Sequence, residues 1–219
     1  MCLHDLLERN RAWSARVSSG DPRFFDRLAR QQAPAYYWIG CSDSRVPSNQ
    51  ILDLAPGEVF THRNIANLMP RGDLNSLSTL QFAIDVLKVR HVMVVGHYGC
   101  SGVRAALEGV RLGLVDTWLS YVQEVHARHQ HTLAVLAPHE RADRLCELNV
   151  AEQFMNICST HTVKDAWRRG EPLSVHGLIY ALHDGRLREL GLSATDLAGA
   201  ERAFEACVGE ANGVAAPAP

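Results

Sequence analysis

The fold is decided by His91-Val92-Met93-Val94-Val95-Gly96, a run of β-branched residues that leads directly into His97-Tyr98-Gly99-Cys100. Because β-branched side chains favour extended backbone, the run predicts a buried strand. A second run, Ala35-Tyr36-Tyr37-Trp38-Ile39-Gly40, is rich in aromatic residues, is also typical of a buried strand, and ends at Cys41. Each predicted strand therefore delivers cysteine or histidine side chains at its carboxyl end.

Helix and strand patterns alternate around these two runs. Further strands are predicted over residues 58–63 and 172–180, and helices over 3–17, 21–29, 75–87, from 101 onward, and over 138–167. This alternation predicts an α/β fold with a central, mostly parallel β-sheet flanked by helices. In such a sheet the ligand crevice lies outside the carboxyl ends of the strands, where both cysteine-bearing segments converge.

Length and composition favour one domain and a small partner. The 219 residues are 47% hydrophobic, which fits a single domain over residues 1–208, and the small, proline-containing end at 209–219 predicts a disordered tail. A net charge of −2 argues against nucleic acid or an anionic membrane as partner. The charged N-terminus lacks the apolar core of a secretory signal, and no apolar stretch reaches the length of a membrane span, so we expect a cytoplasmic protein.

Cys41, His97 and Cys100 together offer two thiolates and an imidazole, which are preferred zinc ligands. Three protein ligands leave a fourth position for water, as in catalytic zinc sites, and two thiolates predict a less acidic water than three imidazoles would. Arg45 is suited to hold the carboxylate of Asp43 in a bidentate pair. While this pair is intact the fourth position is open to water; if it breaks, the carboxylate can close the site.

The remaining cysteines and one histidine cluster are interpreted as structural. Free cysteines commonly serve as small buried hydrophobes, and we expect this of Cys2, Cys146, Cys158 and Cys207, at the surface or in the core. The group His126, His129 and His131 offers no cysteine or carboxylate at clear ligand spacing. It is predicted to be a solvated helix end.

Three motifs resemble the β-class carbonic anhydrases: Cys41-Ser-Asp-Ser-Arg45, Gly57-Glu-x-Phe-x-x-Arg63-Asn64-x-Ala66-Asn67, and Gly96-His97-x-x-Cys100-x-Gly102. The resemblance extends from about Leu6 to Ala206. The resemblance is strongest to bacterial members of the family. The stretches that carry it are Trp38-Ile39-Gly40, Cys146-Glu147-Leu148-Asn149-Val150 and His176-Gly177 with Tyr180.

The resemblance implies reversible hydration of carbon dioxide to bicarbonate and a proton by a zinc-bound hydroxide. It implies one Zn²⁺ per subunit on Cys41, His97 and Cys100, the Asp43–Arg45 pair as catalytic dyad, and Gly102 as backbone of the substrate pocket. Members of the family are dimers or tetramers made of two dimers. Residues 1–33 are then a helical dimerisation arm that packs on the partner subunit.

One branch of the family has a non-catalytic bicarbonate pocket of Trp, Arg and Tyr, and the equivalent positions here are Trp38, Arg63 and Tyr180. In that branch, bicarbonate or low pH favours Asp43 on the zinc ion, so the resemblance implies inhibition by the product. The chain departs from close relatives at Ser101, where glycine is frequent, and at Pro47-Ser48-Asn49-Gln50. Neither departure replaces a predicted ligand, although Ser101 is expected to affect the rate of catalysis.

Two other functions remain open from the sequence. The first is a non-catalytic zinc protein that senses bicarbonate, in which Asp43 closes the site permanently; the presence of Arg45 argues against it. The second is a hydrolase of a carbon dioxide analogue such as carbon disulfide. Access to the zinc site distinguishes this second function, and access depends on tertiary structure.

Overall fold

A five-stranded sheet organises the chain, in a computed structural model that describes residues 2–30 and 32–209. Its strands are β1 (Tyr36–Cys41), β2 (Val59–Asn64), β3 (His91–His97), β4 (Ser174–Ala181) and β5 (Arg186–Ala194). The order is β2-β1-β3-β4-β5; β1 pairs in parallel with β2 and β3, β3 in parallel with β4, and β5 antiparallel to β4. This arrangement confirms the predicted α/β class with a mostly parallel sheet.

Helices precede, connect and follow the strands along the chain. They are α1 (Leu3–Gly20), α2 (Phe24–Arg30), α3 (Ser48–Leu52), α4 (Leu74–Gln81), α5 (Ser101–Glu108), α6 (Val115–Arg128), α7 (Gln130–Ala134), α8 (Pro138–Cys158), α9 (His161–Arg168) and α10 (Leu197–Gly209). A 3₁₀ turn (Ile65–Asn67) follows β2, and a π turn (Phe82–Val86) continues α4. Parallel strand pairs require such crossover connections, since a tight turn cannot join them.

The described residues form two units that divide between Ala33 and Pro34. In the first unit the ring of Trp13 on α1 meets that of Phe25 on α2 edge-on, with centroids 5.6 Å apart. Within this described unit α1 and α2 bury no side chain completely, and Leu3 on α1 is 72% exposed. The first unit thus presents apolar side chains to the surface.

In the second unit the two faces of the sheet have separate apolar clusters. Alternating side chains such as Tyr37 and Ile39 on β1 lie in the larger cluster, to which α8 contributes Leu148 and Phe154. The opposite face carries a smaller cluster of Trp38, Val46, Met93 and Val95. The alternation follows from the two-residue period of a strand, which sends successive side chains to opposite faces.

Three details differ from the sequence predictions. The helical region predicted over 138–167 is divided into two helices: α8 ends at Cys158, and Thr160 begins α9 by accepting the Val163 amide on its side chain at 3.3 Å. The antiparallel strand β5 was not predicted. The helix α10 includes Gly209, where the predicted tail begins, and the rest of that tail lies outside the described residues.

The prediction of a solvated histidine cluster is wrong for His129, and His126 is half-buried as well. The His129 side chain is only 14% exposed, and its Nε2 lies 3.1 Å from a carboxylate oxygen of Glu152, which also pairs with Arg128 at 2.7 Å. His131 is exposed, as predicted. Because an imidazole and a carboxylate attract each other across helices, His129 fastens the end of α6 to α8.

In the part of the chain that the structure describes, no helix combines the length and the apolar character needed to cross a membrane.

Candidate metal centre

The candidate metal centre lies where β1 and β3 end. Cys41 is the last residue of β1 and His97 the last of β3, and the parallel register aligns Gly40 with Val95. Cys100 follows after a tight turn and stands at the N-cap of α5. Since parallel neighbours end at the same edge of the sheet, side chains that are 59 residues apart in sequence meet here.

The three predicted ligands form a buried cluster whose geometry fits zinc. Their ligand atoms all lie within 4.8 Å of one another, and the sulfur atoms of Cys41 and Cys100 are 3.9 Å apart. Two Zn–S bonds of about 2.3 Å at a tetrahedral angle place the sulfurs about 3.8 Å apart. The Nε2 atom of His97 is buried without a hydrogen-bond partner among the described residues. A buried polar atom of this kind needs a partner, and a cation beside two sulfurs supplies it.

A backbone carbonyl determines which nitrogen of His97 is free. The Nδ1 atom of the ring lies 3.0 Å from the carbonyl oxygen of Tyr98, to which it donates as the N–H tautomer. This hydrogen bond leaves Nε2 as the lone-pair donor that faces the sulfurs. Such outer partners are the usual means by which proteins orient a ligating imidazole.

Backbone amides surround the sulfur of Cys41. The amides of Asp43 and Ala66 face the sulfur and help to lower the pKa of Cys41, in addition to the larger effect of Cys100. Ala66 has a left-handed backbone with φ of 66°, which costs free energy for a residue other than glycine. Its carbonyl accepts a hydrogen bond from Asn149 on α8 at 2.9 Å, and the carbonyl of Ile65 accepts one from Trp118 on α6 at 2.9 Å. The helices therefore hold the turn in the conformation that points its amide at the ligand.

The two thiols act as one titrating pair. The hydrogen bond from Cys100 lowers the pKa of Cys41, and the same contact raises the pKa of Cys100. Burial opposes protonation of His97, but its contact with the charge of Cys41 outweighs burial and raises its pKa. A divalent cation that displaces these protons would find two thiolates and a neutral imidazole, which are the ligand forms that zinc binds.

Asp43 and Arg45 form the predicted pair. Arg45 donates from Nε to Oδ1 at 2.9 Å and from Nη2 to Oδ2 at 2.7 Å, and its backbone amide also donates to Oδ1 at 2.9 Å. These hydrogen bonds hold the pKa of Asp43 well below its usual range. The Oδ2 atom lies 3.8 Å from Nε2 of His97. The carboxylate is therefore ionised and beside the candidate metal position.

Gly102 and Ser101 lie in the first turn of α5. A methyl group at Gly102 would come within 2.8 Å of the Ile65 side chain, so glycine permits α5 to pack against the 3₁₀ turn. Ser101 is exposed at the start of the helix.

Of the three residues of the predicted bicarbonate pocket, Arg63 and Tyr180 lie near the carboxyl ends of β2 and β4, and Trp38 lies in the middle of β1. Trp38 is fully buried, and its indole Nε1 has no hydrogen-bond partner in the described part of the chain. Tyr180 packs against the cluster that contains Trp38. The Arg63 guanidinium donates to the carbonyl oxygens of Cys41, at 2.9 Å, and Asp43. Arg63 therefore contacts the backbone of a predicted ligand as well as that of the dyad.

Comparison with known proteins identifies the family of this chain. A family profile described as "Carbonic anhydrase" matches residues 36–187, which include the whole candidate metal centre. The chain belongs to the β-class carbonic anhydrases. A carbonic anhydrase of Emericella nidulans is 45% identical over 191 residues, covering 86% of this chain and 84% of the relative. One of Pseudomonas aeruginosa is 31% identical, covering 77% of this chain and 78% of the relative.

Solved β-carbonic anhydrases share the architecture. The Coccomyxa enzyme, solved in complex with acetazolamide, superposes with a TM-score of 0.88 and 38% identity over 94% of this chain and 96% of its own. A tetrameric enzyme of the filamentous ascomycete Sordaria macrospora has a TM-score of 0.83 and 40% identity over 87% and 98%. The expected enzyme class is thereby confirmed.

The sequence pointed to the three candidate ligands and to the Asp43–Arg45 pair, which the structure brings together, but it did not indicate the residues that hold them. Ala66 lies in the motif that runs from Gly57 to Asn67, but nothing in that motif indicates that its backbone is left-handed. Asn149 and Trp118 are 83 and 53 residues from the carbonyls that they bind. No local pattern in the chain indicates these contacts.

Proposed function

We propose that this carbonic anhydrase holds one zinc ion on Cys41, His97 and Cys100 and catalyses the reversible hydration of carbon dioxide to bicarbonate and a proton. The observation that carries the proposal is the sulfur pair at 3.9 Å, with the unpartnered Nε2 of His97 beside it. A bound zinc ion lowers the pKa of a water molecule toward neutrality, which supplies a nucleophile.

Asp43 is proposed to orient the reacting water. Arg45 occupies both carboxylate oxygens and keeps Asp43 ionised, so the carboxylate acts as a hydrogen-bond acceptor. With Oδ2 at 3.8 Å from Nε2 of His97, the acceptor faces the position where ligands and substrate meet. A fixed acceptor selects one orientation of the water and so lowers the entropic part of the barrier. The intact pair also argues against a permanently closed, non-catalytic site.

We propose further that bicarbonate inhibits the enzyme through Trp38, Arg63 and Tyr180. The buried indole N–H lacks an acceptor among the described residues, and a small anion would supply one. Arg63 meanwhile donates to the carbonyls of Cys41 and Asp43. An anion that draws the guanidinium away releases the backbone of the dyad, so that Asp43 can leave Arg45 and close the zinc site. Low pH favours the same closed state.

The assembly and location remain part of the proposal. The Sordaria relatives are described as tetrameric, and the exposed apolar side chains of residues 1–33 fit a dimerisation arm in a homodimer or a tetramer of two dimers. We expect a single domain per chain and a cytoplasmic location.

Stopped-flow carbon dioxide hydration tests the activity. The zinc-loaded enzyme is expected to be active, with activity that rises toward alkaline pH. Cys100→Ala should lose both stoichiometric zinc and activity, because one thiolate ligand is removed. Cys158→Ala is the matched control, since it removes an equally buried thiol at the end of α8. Full zinc content without hydration at any pH would defeat the catalytic proposal and favour the closed, sensing protein.

Bicarbonate varied at fixed ionic strength tests the regulation separately. Suppression of the initial hydration rate by added bicarbonate supports the pocket, and a rate that does not respond removes it. The proposal that the protein hydrates carbon dioxide does not depend on the outcome of this second experiment.

A further inference from the structure

Tyr98 lies between two of the proposed metal ligands, and its side chain is held by a helix outside the site. Its phenol hydroxyl donates to Oε1 of Glu147 on α8 at 2.6 Å. Glu147 is 49 residues away in sequence and is buried. The segment that joins His97 to Cys100 is thus attached to the core through a side chain as well as through the sheet.

An ion pair fixes Glu147 in turn. The Nη1 atom of Arg144 donates to Oε2 of Glu147 at 2.9 Å, and Nη2 donates to the carbonyl oxygen of Cys207 on α10 at 2.7 Å. Both carboxylate oxygens of Glu147 are therefore occupied, one by the phenol and one by the guanidinium. Both charged side chains are buried, and a buried pair resists separation because either charge alone would be left in a medium of low polarity.

The backbone of Tyr98 connects this network to the metal ligand. The carbonyl oxygen of Tyr98 accepts the Nδ1 hydrogen of His97 at 3.0 Å, and its amide donates to the carbonyl of Tyr180 at 3.0 Å. The next amide, that of Gly99, faces the carboxylate of Asp143, one helical turn before Glu147. Since the peptide between Tyr98 and Gly99 is planar, a hold on its N–H also fixes the direction of its carbonyl.

We propose that Tyr98, Glu147 and Arg144 are positioning residues that hold the Tyr98 carbonyl in place and thereby keep His97 oriented for metal binding. The inference rests on the proposed function, because it requires a metal ion on His97. None of the three touches the metal position: each acts through the next. Loss of the network should leave the ligand set unchanged and allow the imidazole to turn away more often, which increases the rate of metal release.

The test is the rate of zinc release into an excess of a chromophoric chelator. Tyr98→Phe removes the hydroxyl and retains the ring, and outer-shell changes of this kind typically cost about 10- to 100-fold in metal affinity or activity. We expect zinc release to be at least about tenfold faster. Tyr37→Phe is the matched control, because Tyr37 is a buried tyrosine whose hydroxyl donates to Thr79 at 3.0 Å, away from the ligands. Its release rate should stay within about twofold of the unaltered enzyme.

Two further measurements separate positioning from general destabilisation. In the cobalt-substituted protein, Tyr98→Phe should shift the visible absorption bands, which report ligand geometry, while Tyr37→Phe should not. Glu147→Gln retains an acceptor for the phenol but removes the charge that pairs with Arg144. Combined with Tyr98→Phe it should increase release no further than the larger single effect, since both changes interrupt one network.

Equal zinc release from the Tyr98 and Tyr37 variants, with unshifted cobalt spectra, would overturn the inference even if both variants melted at lower temperature. Carbon dioxide hydration by the unaltered protein, measured on the same samples, separates this result from the larger proposal. Stoichiometric zinc without hydration would defeat the proposed function and leave the positioning result standing. An unaltered protein that binds no zinc would overturn both.

Discussion

Glycine substitution at Ala66 tests whether strain is stored beside the candidate metal centre. Ala66 is fully buried and left-handed, with φ of 66°, and its amide faces the sulfur of Cys41. Ala151 is also fully buried but lies in the interior of α8 with ordinary helical backbone. Ala66→Gly and Ala151→Gly thus remove the same methyl group from equally buried positions that differ in backbone conformation.

The two substitutions should differ in their free energy of unfolding. Each loses about 0.8 kcal/mol for a buried methyl group. At Ala151 the added freedom of glycine in a helix costs roughly 0.5–1 kcal/mol more, giving about 1.5 kcal/mol of destabilisation. At Ala66 the release of left-handed strain, about 1–2 kcal/mol, offsets both losses, so the net change is near zero.

Thermal unfolding of the zinc-loaded protein measures this difference. For a chain of this size, 1.5 kcal/mol corresponds to about 3–6 °C in Tm, so Ala151→Gly should melt lower than Ala66→Gly by about that amount. Chemical denaturation provides the same comparison at constant temperature. If Ala66→Gly were as destabilised as Ala151→Gly, the left-handed turn would carry no strain and the reasoning would be refuted.

Three more predictions concern the Asp43–Arg45 pair, the proposed bicarbonate pocket and the N-cap of α4. Arg45→Gln should retain zinc but lower kcat/KM at least about tenfold, since two charge-assisted hydrogen bonds to Asp43 are lost, and Arg45→Lys should be intermediate; unchanged stopped-flow rates at full zinc content would contradict this. Trp38→Phe keeps the ring without its N–H, and the bicarbonate concentration for half-inhibition should rise about tenfold; an unchanged value would exclude the indole as a donor. Asp73 caps α4 by accepting the Ser76 amide at 3.1 Å, and although burial opposes it, hydrogen bonding by Ser76 lowers the pKa of Asp73. The stabilisation of the folded state by the Asp73 carboxylate is therefore fully present above the unfolded-state pKa and is lost as pH falls through the folded-state pKa. Asp73→Asn should accordingly flatten the decline of Tm below about pH 4. If the decline were the same in the variant, other carboxylates would be its cause.

Local patterns were sufficient to predict the strands that carry the candidate ligands. The β-branched run before His97 and the aromatic run before Cys41 each predicted a strand to within one residue of the observed end. The placement of both ligands at one edge followed from the parallel order, because parallel strands end together. Boundaries that depend on caps were predicted less well, as at Thr160, where a side-chain hydrogen bond to the backbone divides a region whose apolar pattern continues.

The sequence by itself determined the fold class, the candidate ligand set and the Asp43–Arg45 pair, because each of these depends on residue types at short spacing. Only the tertiary structure decided what holds these residues in place. The contacts are the left-handed backbone of Ala66, the hydrogen bond from Asn149 to the Ala66 carbonyl, and the hydrogen bond from Tyr98 to Glu147 on α8. These contacts join residues 49 to 83 positions apart. Spacing within a chain carries no information about such pairs, since their distance is set by how helices pack on the sheet.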